Sequence, residues 1–258
     1  MKKIIQQIIK HVAIAAVVGT LTFLIVYGQH LTNVLPQIDN INSTTSAASF
    51  YPLSEKKMIN RSRQSAVRVL SFDVVQGMVS TSSATYFEHG GEYFILTTSH
   101  GLLGACDSIQ IEAEGELYDC EEVVARNEIV DYAILKVEQI NQRKPVKFPR
   151  HMTTGTLEWK KTLSLLNEIV YTGYPNSIGP LTIEGTIMGF DSYGLIYVQS
   201  YAWSGSSGSG VFDKRGNLIG YILAIDVGNT EFGNAILENV ILVVPIYKVD
   251  WSIIFTRE

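Results

Sequence analysis

Hydrophobic and polar positions fall into three regimes along the chain. An uncharged, largely apolar run covers 12–28; Lys2, Lys3 and Lys10 precede it, and no acidic residue appears before Asp39. Residues 29–65 are polar, include Asn42-Ser43-Thr44-Thr45-Ser46, and keep no sustained period, the pattern of a linker. From Ala66 the pattern changes to short β-type runs separated by turn residues. The runs 66–72, 83–87, 93–98, 108–112, 118–125 and 132–137 form a first set. His89-Gly90-Gly91, between two aromatic-rich runs, signals a hairpin. After a charged, proline-containing connection at 138–162 comes a second set at 164–172, 181–190, 195–199, 211–212, 218–225 and 240–244. Residues 247–255 then read as a short closing helix.

Many short strands in two runs, with little helix, predict an all-β fold of two six-stranded antiparallel β-barrels. Such a fold places its site in the cleft between the barrels. The expected organisation is an N-terminal segment at 1–28, a polar linker at 29–63 and a β domain at 64–258. Within that domain, barrel one covers about 64–140 and barrel two about 160–258.

Charge settles the topology of the first segment. Positive residues before the apolar run predict an N-terminus inside and everything downstream on the extracytoplasmic side. The run is at the lower length limit for a spanning transmembrane helix. It is read as an uncleaved signal anchor, with cleavage after Gly28 and secretion as the alternative; Val26 and Gly28 are small, but the surroundings lack the usual small-residue cleavage pattern. The net charge of −5 shows no basic footprint, so nucleic acid is not an expected partner. His11 and His30 read as interfacial, and His89 and His151 as surface residues.

The two cysteines, Cys106 and Cys120, bracket a hairpin whose turn lies near Glu114-Gly115. In an exported domain these cross-strand neighbours are read as a disulfide, the alternative being two buried thiols. Neither cysteine scaffold nor H-E-x-x-H is present, so no metal and no cofactor is expected.

Three segments carry candidate chemistry. Thr97-Thr98-Ser99-His100-Gly101 ends an apolar strand; Asp131 heads the strand Tyr132-Ala133-Ile134-Leu135-Lys136-Val137; Gly205-Ser206-Ser207-Gly208-Ser209-Gly210 is a glycine-rich turn. A serine hydroxyl is a weak nucleophile that needs a base, and the base needs an orienting acid. His100 is the candidate base, Asp131 the acid and Ser207 the nucleophile. Glycine lets the turn close tightly, so the amides of Gly205 and Ser207 can face a developing oxyanion. Each segment alone is common; the combination, on a two-barrel pattern, is not.

These segments resemble the catalytic blocks of the chymotrypsin-fold (trypsin-like) serine proteases, nearest the bacterial HtrA/Deg and glutamyl-endopeptidase branches. Thr98-Ser99-His100 is similar to the histidine block, Asp131 to Lys136 to the aspartate block, and 204–225, with Gly216-Asn217-Leu218-Ile219-Gly220, to the serine block. Gly173-Tyr174-Pro175, Gly185-Thr186-Ile187 and Val244-Pro245-Ile246 extend the likeness over about 64–250. It implies a serine endopeptidase acting on protein or peptide substrates. Ser206 stands where the digestive enzymes carry the aspartate of their zymogen switch, so that switch is not expected. Ser209 replaces the second glycine of Gly-x-Ser-Gly-Gly, and with Glu258 the last residue no PDZ domain is expected. By the resemblance, Tyr201, Ala202, Leu223, Ala224 and Ile225 line the substrate pocket, which is apolar and predicts small or medium aliphatic side chains. Asp226 reads as a solvated turn acid. A catalytically silent binding module is the alternative reading; a cysteine protease is excluded because no cysteine lies in the glycine-rich turn.

Overall fold

The computed structural model describes residues 53–147, 163–230 and 233–255. The described residues all belong to one compact unit, Pro52–Glu258. The expected anchor at 1–28 and most of the expected linker lie outside them. Among the described residues no helix is long and apolar enough to cross a membrane.

Twelve strands build two closed antiparallel barrels. Strands β1 (Ala66–Asp73), β2 (Met78–His89), β3 (Glu92–Thr97), β4 (Ile109–Ala113), β5 (Glu116–Asn127) and β6 (Tyr132–Val137) close in the order β1-β2-β3-β6-β5-β4. Strands β7 (Glu168–Gly173), β8 (Leu181–Phe190), β9 (Ile196–Gln199), β10 (Gly210–Asp213), β11 (Leu218–Thr230) and β12 (Gly233–Pro245) close as β10-β11-β12-β9-β8-β7. Closure leaves neither sheet an unpaired edge. Two turns in barrel one follow from their residues. Gly90 and Gly91 (φ 60 and 83) link the paired His89 and Glu92, and Glu114 and Gly115 (φ 53 and 84) link Ala113 and Glu116. Two positive φ values in a two-residue loop give the type I′ hairpin that matches strand twist.

Strand alternation explains why the barrels adhere. Tyr86, Ile95 and Leu135 point into barrel one with Val67, Val69 and Ile111. Their neighbours Phe87, Phe94 and Ile134 face the opposite way and join a second cluster with Tyr171, Val211, Phe212 and Ile241 of barrel two. Successive strand residues face opposite sides, so β2, β3 and β6 are buried on both faces. The closing segment seals this joint. Helix α2 (Ser252–Phe255) follows Trp251, whose ring meets Phe87 edge-on at 5.6 Å and whose Nε1 donates to Ile246 O at 2.8 Å. Each fully buried aromatic ring contributes about 1.5–3 kcal/mol.

Three differences from the sequence expectations have physical reasons. Residues 53–63, expected as linker, belong to helix α1 (Leu53–Ser65). Its buried stripe is Met58, Ser62 and Ser65, and two of those three are hydroxyls, so no apolar period marked it. Strand β2 begins at Met78 rather than at 83, because Ser80, Thr81 and Ser82 read as polar yet pair with Ser71, Leu70 and Val69 of β1. Cys106 and Cys120 are joined as a disulfide with Cα atoms 5.3 Å apart. They are not ladder partners: the register pairs Gln110 with Asp119, and a 3₁₀ turn over Cys106–Ser108 folds the first cysteine back.

Candidate active site

His100 and Asp131 meet at one end of barrel one. Strand β3 runs out through the buried Thr97, Thr98 and Ser99, and His100 stands in the turn that follows, its side chain half exposed. Arg126 of β5 fastens that turn, with Nε donating to Ser99 Oγ (2.9 Å) and Nη2 to Ser99 O and Leu102 O (3.3 and 3.1 Å). Sequence reading missed Arg126, since nothing local distinguishes it from a solvated strand residue. Asp131 closes the β5–β6 connection, where Asn127 Oδ1 accepts the amides of Ile129 and Val130, both at 2.9 Å. Asp131 takes φ 60, a left-handed conformation that aspartate tolerates better than most residues. From there its carboxylate holds His100 twice: Oδ1 accepts the backbone amide at 2.8 Å and Oδ2 meets Nδ1 at 2.5 Å. With Nδ1 donating to the acid, Nε2 is the ring nitrogen left to accept a proton.

Tyr221 of β11 buttresses the acid from barrel two, donating to Val130 O at 3.0 Å. Burial, and secondarily the nearby Asp131 carboxylate, push the Tyr221 hydroxyl far above its ordinary range, so it stays a proton donor.

The glycine-rich segment forms a turn of defined type. Ser206 N donates to Trp203 O at 2.9 Å, closing Trp203–Ser206 with Gly205 third and at φ +92. A positive φ at that place is the type II arrangement, which requires glycine. A Cβ there would also sit 2.7 Å from Tyr174 O. The Ser204 carbonyl accepts from Asn176 N at 2.6 Å. In a trans peptide C=O and N–H point oppositely, so the Gly205 amide faces away from Asn176. Among the described residues, neither Gly205 N nor Ser207 N has an acceptor. Two free amides on one turn make an anion-accepting concavity. Asn176 (φ 50) and Ser177 (φ 60) are both left-handed, a local strain that delivers the Asn176 amide to this turn; no sequence motif announced it.

The two barrels join at Ser207. Ser83 N of β2 donates to Ser207 O at 2.9 Å, and Thr97 Oγ1 of β3 donates to Ser83 O at 2.8 Å. A Cβ at Gly208 (φ +86) would lie 2.1 Å from Ser83 O and 2.5 Å from Thr97 Oγ1. Glycine is therefore what lets the serine turn lie against β2 and β3, three residues before His100. Among the described residues the Ser207 hydroxyl and His100 Nε2 carry no hydrogen bond. His100 and Asp131 are thus in direct contact, and the turn that carries Ser207 is bonded to β2 through Ser83 N.

A profile of the trypsin-like peptidase domain matches residues 82–220, a span that holds His100, Asp131 and Ser207. The chain belongs to the trypsin-like peptidase domain family. No curated protein sequence matches it. Solved structures share the peptidase's fold at low identity. A serine endoprotease from Yersinia pestis superposes with a TM-score of 0.58 at 18% identity, over 76% of this chain and 63% of that one. The Rv3671c protease of M. tuberculosis, in its active form, gives 0.56 at 17%, over 75% and 81%. The HtrA-type protease AlgW with a tripeptide gives 0.56 at 20%, over 75% and 60%. The chain thus spans less than two thirds of the Yersinia and AlgW chains.

The residues expected to line the substrate pocket of this peptidase spread along the barrel-two side. Tyr201 is exposed, Ala202 buried and Leu223 partly buried. Ala224 and Ile225 lie on β11 opposite Leu242 and Ile241, with side chains outside those described. The Tyr171 hydroxyl donates to Tyr201 O, and the Tyr201 and Trp203 rings stack with centroids 6.2 Å apart. A cavity of about 400 Å³ beside Tyr201 is lined by Glu168, Glu184, Thr186, Gln199, Ser200 and Asn239. The surroundings of Tyr201 are therefore more polar than the sequence implied.

Proposed function

We propose that this trypsin-like peptidase hydrolyses peptide bonds of proteins through an acyl-enzyme on Ser207. Ser207 Oγ attacks the scissile carbonyl and its proton passes to His100 Nε2. Asp131 holds the imidazole tautomer and stabilises the imidazolium. The Gly205 and Ser207 amides receive the oxyanion. His100 returns the proton to the leaving amine, and water then releases the acyl group by the same steps. The observations that support the reading are the double grip of Asp131 on His100 and a type II turn before Ser207 with two unclaimed amides.

The N-terminal charge pattern supports a protease domain held on the extracytoplasmic face of a membrane, or secreted if the first segment is cleaved. The expected side-chain preference is small or medium aliphatic. The test is hydrolysis of an unbiased peptide library by the purified chain and by Ser207→Ala. Cleavage before or after no fixed aliphatic set, dominated instead by Lys, Arg or Glu, defeats the preference. Cleavage that survives Ser207→Ala defeats the mechanism.

A further inference from the structure

Ser83 meets the glycine-rich turn from β2, yet no step of the reaction uses it. It is fully buried on β2. Its Oγ donates to Gly205 O at 2.6 Å and accepts from Tyr174 N at 2.8 Å. Its amide donates to Ser207 O at 2.9 Å, and its carbonyl accepts from Thr97 Oγ1 at 2.8 Å. The residues whose amides face the oxyanion are Gly205 and Ser207, and the carbonyl of each is held by Ser83. The Gly205 N–H lies in the Ser204–Gly205 peptide, whose carbonyl Asn176 N holds; Ser83 Oγ holds the carbonyl of the next peptide, whose N–H donates to Trp203 O.

We infer that Ser83 is a positioning residue for the oxyanion turn, its hydroxyl fixing the Gly205–Ser206 peptide so that the glycine cannot swing the amide on its other side away from the reacting carbonyl. The inference rests on the proposed endopeptidase mechanism and adds to it a device absent from the triad. The physical reason is the softness of glycine. With no Cβ, Gly205 can rotate its flanking peptides at little cost, and a turn loses its catalytic sense when one peptide turns over. A hydroxyl pinning Gly205 O removes that freedom from barrel one, while Asn176 N pins Ser204 O from barrel two. Ser83 Oγ also satisfies Tyr174 N, so the same atom couples the turn to the strained 175–177 segment. Tyr174 is fixed in turn, its hydroxyl accepting from Arg143 Nη2 at 3.0 Å.

The test compares Ser83→Ala and Ser83→Cys with Ser62→Ala, all in the full chain. Ser62 is a buried hydroxyl too, donating to Thr172 Oγ1 at 2.7 Å away from the turn, so it controls for lost stability. Steady-state kinetics on a cleaved peptide are read beside the affinity for a peptidyl aldehyde, which forms an oxyanion, and for the product peptide, which does not. Ser83→Ala is expected to lower kcat about 10- to 100-fold, short of the loss from deleting an oxyanion donor outright. KM and product affinity stay level, and aldehyde affinity falls in parallel with kcat. Ser83→Cys keeps the volume with a weaker donor and shows the same split at a smaller factor, which keeps the test open should the alanine variant not fold. Ser62→Ala lowers Tm without that split. Unchanged kcat in a folded Ser83 variant, or equal losses of aldehyde and product affinity, overturns the inference. Native chain that neither cleaves peptide nor labels at Ser207 overturns the mechanism beneath it instead.

Discussion

The half of the candidate site around His100 and Asp131 and the half around Ser207 are built by opposite means. In barrel one, side chains do the positioning: a carboxylate grips an imidazole at Nδ1 and its backbone amide, and a guanidinium ties down the turn between them. In barrel two, the backbone does it: a type II turn, two left-handed residues at 176 and 177, and carbonyls held from outside. Charged groups bring strength at one point, whereas backbone amides bring fixed direction without needing to ionise. The difference teaches where each half is fragile. One fails when a charge is removed, the other when a glycine gains a Cβ.

The largest expected effect separates charge from shape. Asp131→Asn keeps the size of the side chain and loses the carboxylate that selects the His100 tautomer. Its kcat should fall about 10⁴-fold, with Tm little changed, as read by steady-state kinetics and thermal melting. A loss below tenfold would mean that shape alone positions the imidazole. Next comes the opposite half: Gly205→Ala adds an atom 2.7 Å from Tyr174 O at φ +92, so the turn must rearrange. A kcat loss of about 10²- to 10³-fold is expected, with His100 still held by Asp131.

How much of this was legible beforehand follows the same division. The His100–Asp131 contact and the glycine turn that carries Ser207 could be read because the proposed chemistry demands particular residue types in segments with a recognisable strand or turn. Gly90-Gly91 and Gly205 could be read because positive φ selects glycine. Ser83, Arg126 and Asn176 could not, since each acts through contacts with residues far away in sequence, and a hydroxyl or amide looks the same whatever it faces. Helix α1 escaped for a related reason: its inward stripe is serine, satisfied by Ser62 Oγ on Thr172 and Ser65 Oγ on Arg61 O. The polar cavity beside Tyr201 draws on β7, β8, β9 and β12 at once, which no local pattern reveals.

Two smaller effects sharpen the contrast between the barrels as whole bodies. Only barrel one carries a crosslink among the described residues, closing 14 positions from the turn after His100. Replacing both cysteines by serine should lower stability by about 2–4 kcal/mol, measured by denaturant unfolding, with kcat nearly kept in the folded fraction. Both barrels bury tyrosines. Desolvation raises Tyr171, Tyr174 and Tyr221 above the ordinary value of 10.0, and in barrel one it pushes Tyr86 up to about 12. A raised folded value favours the neutral phenol, so this stabilisation is complete below about pH 10 and is lost as the pH climbs through the folded values. Tm should hold steady up to about pH 9 and fall beyond pH 10, and a Tyr86→Phe variant should delay part of that fall.

The central claim, that Ser207 is the nucleophile activated by His100 and Asp131, is tested most directly by a fluorophosphonate probe. The adduct on the native chain is located by peptide mass analysis. The account predicts a single adduct on Ser207, absent from Ser207→Ala and much slower to form in His100→Ala. An adduct on another residue, or labelling that persists in Ser207→Ala, would contradict it.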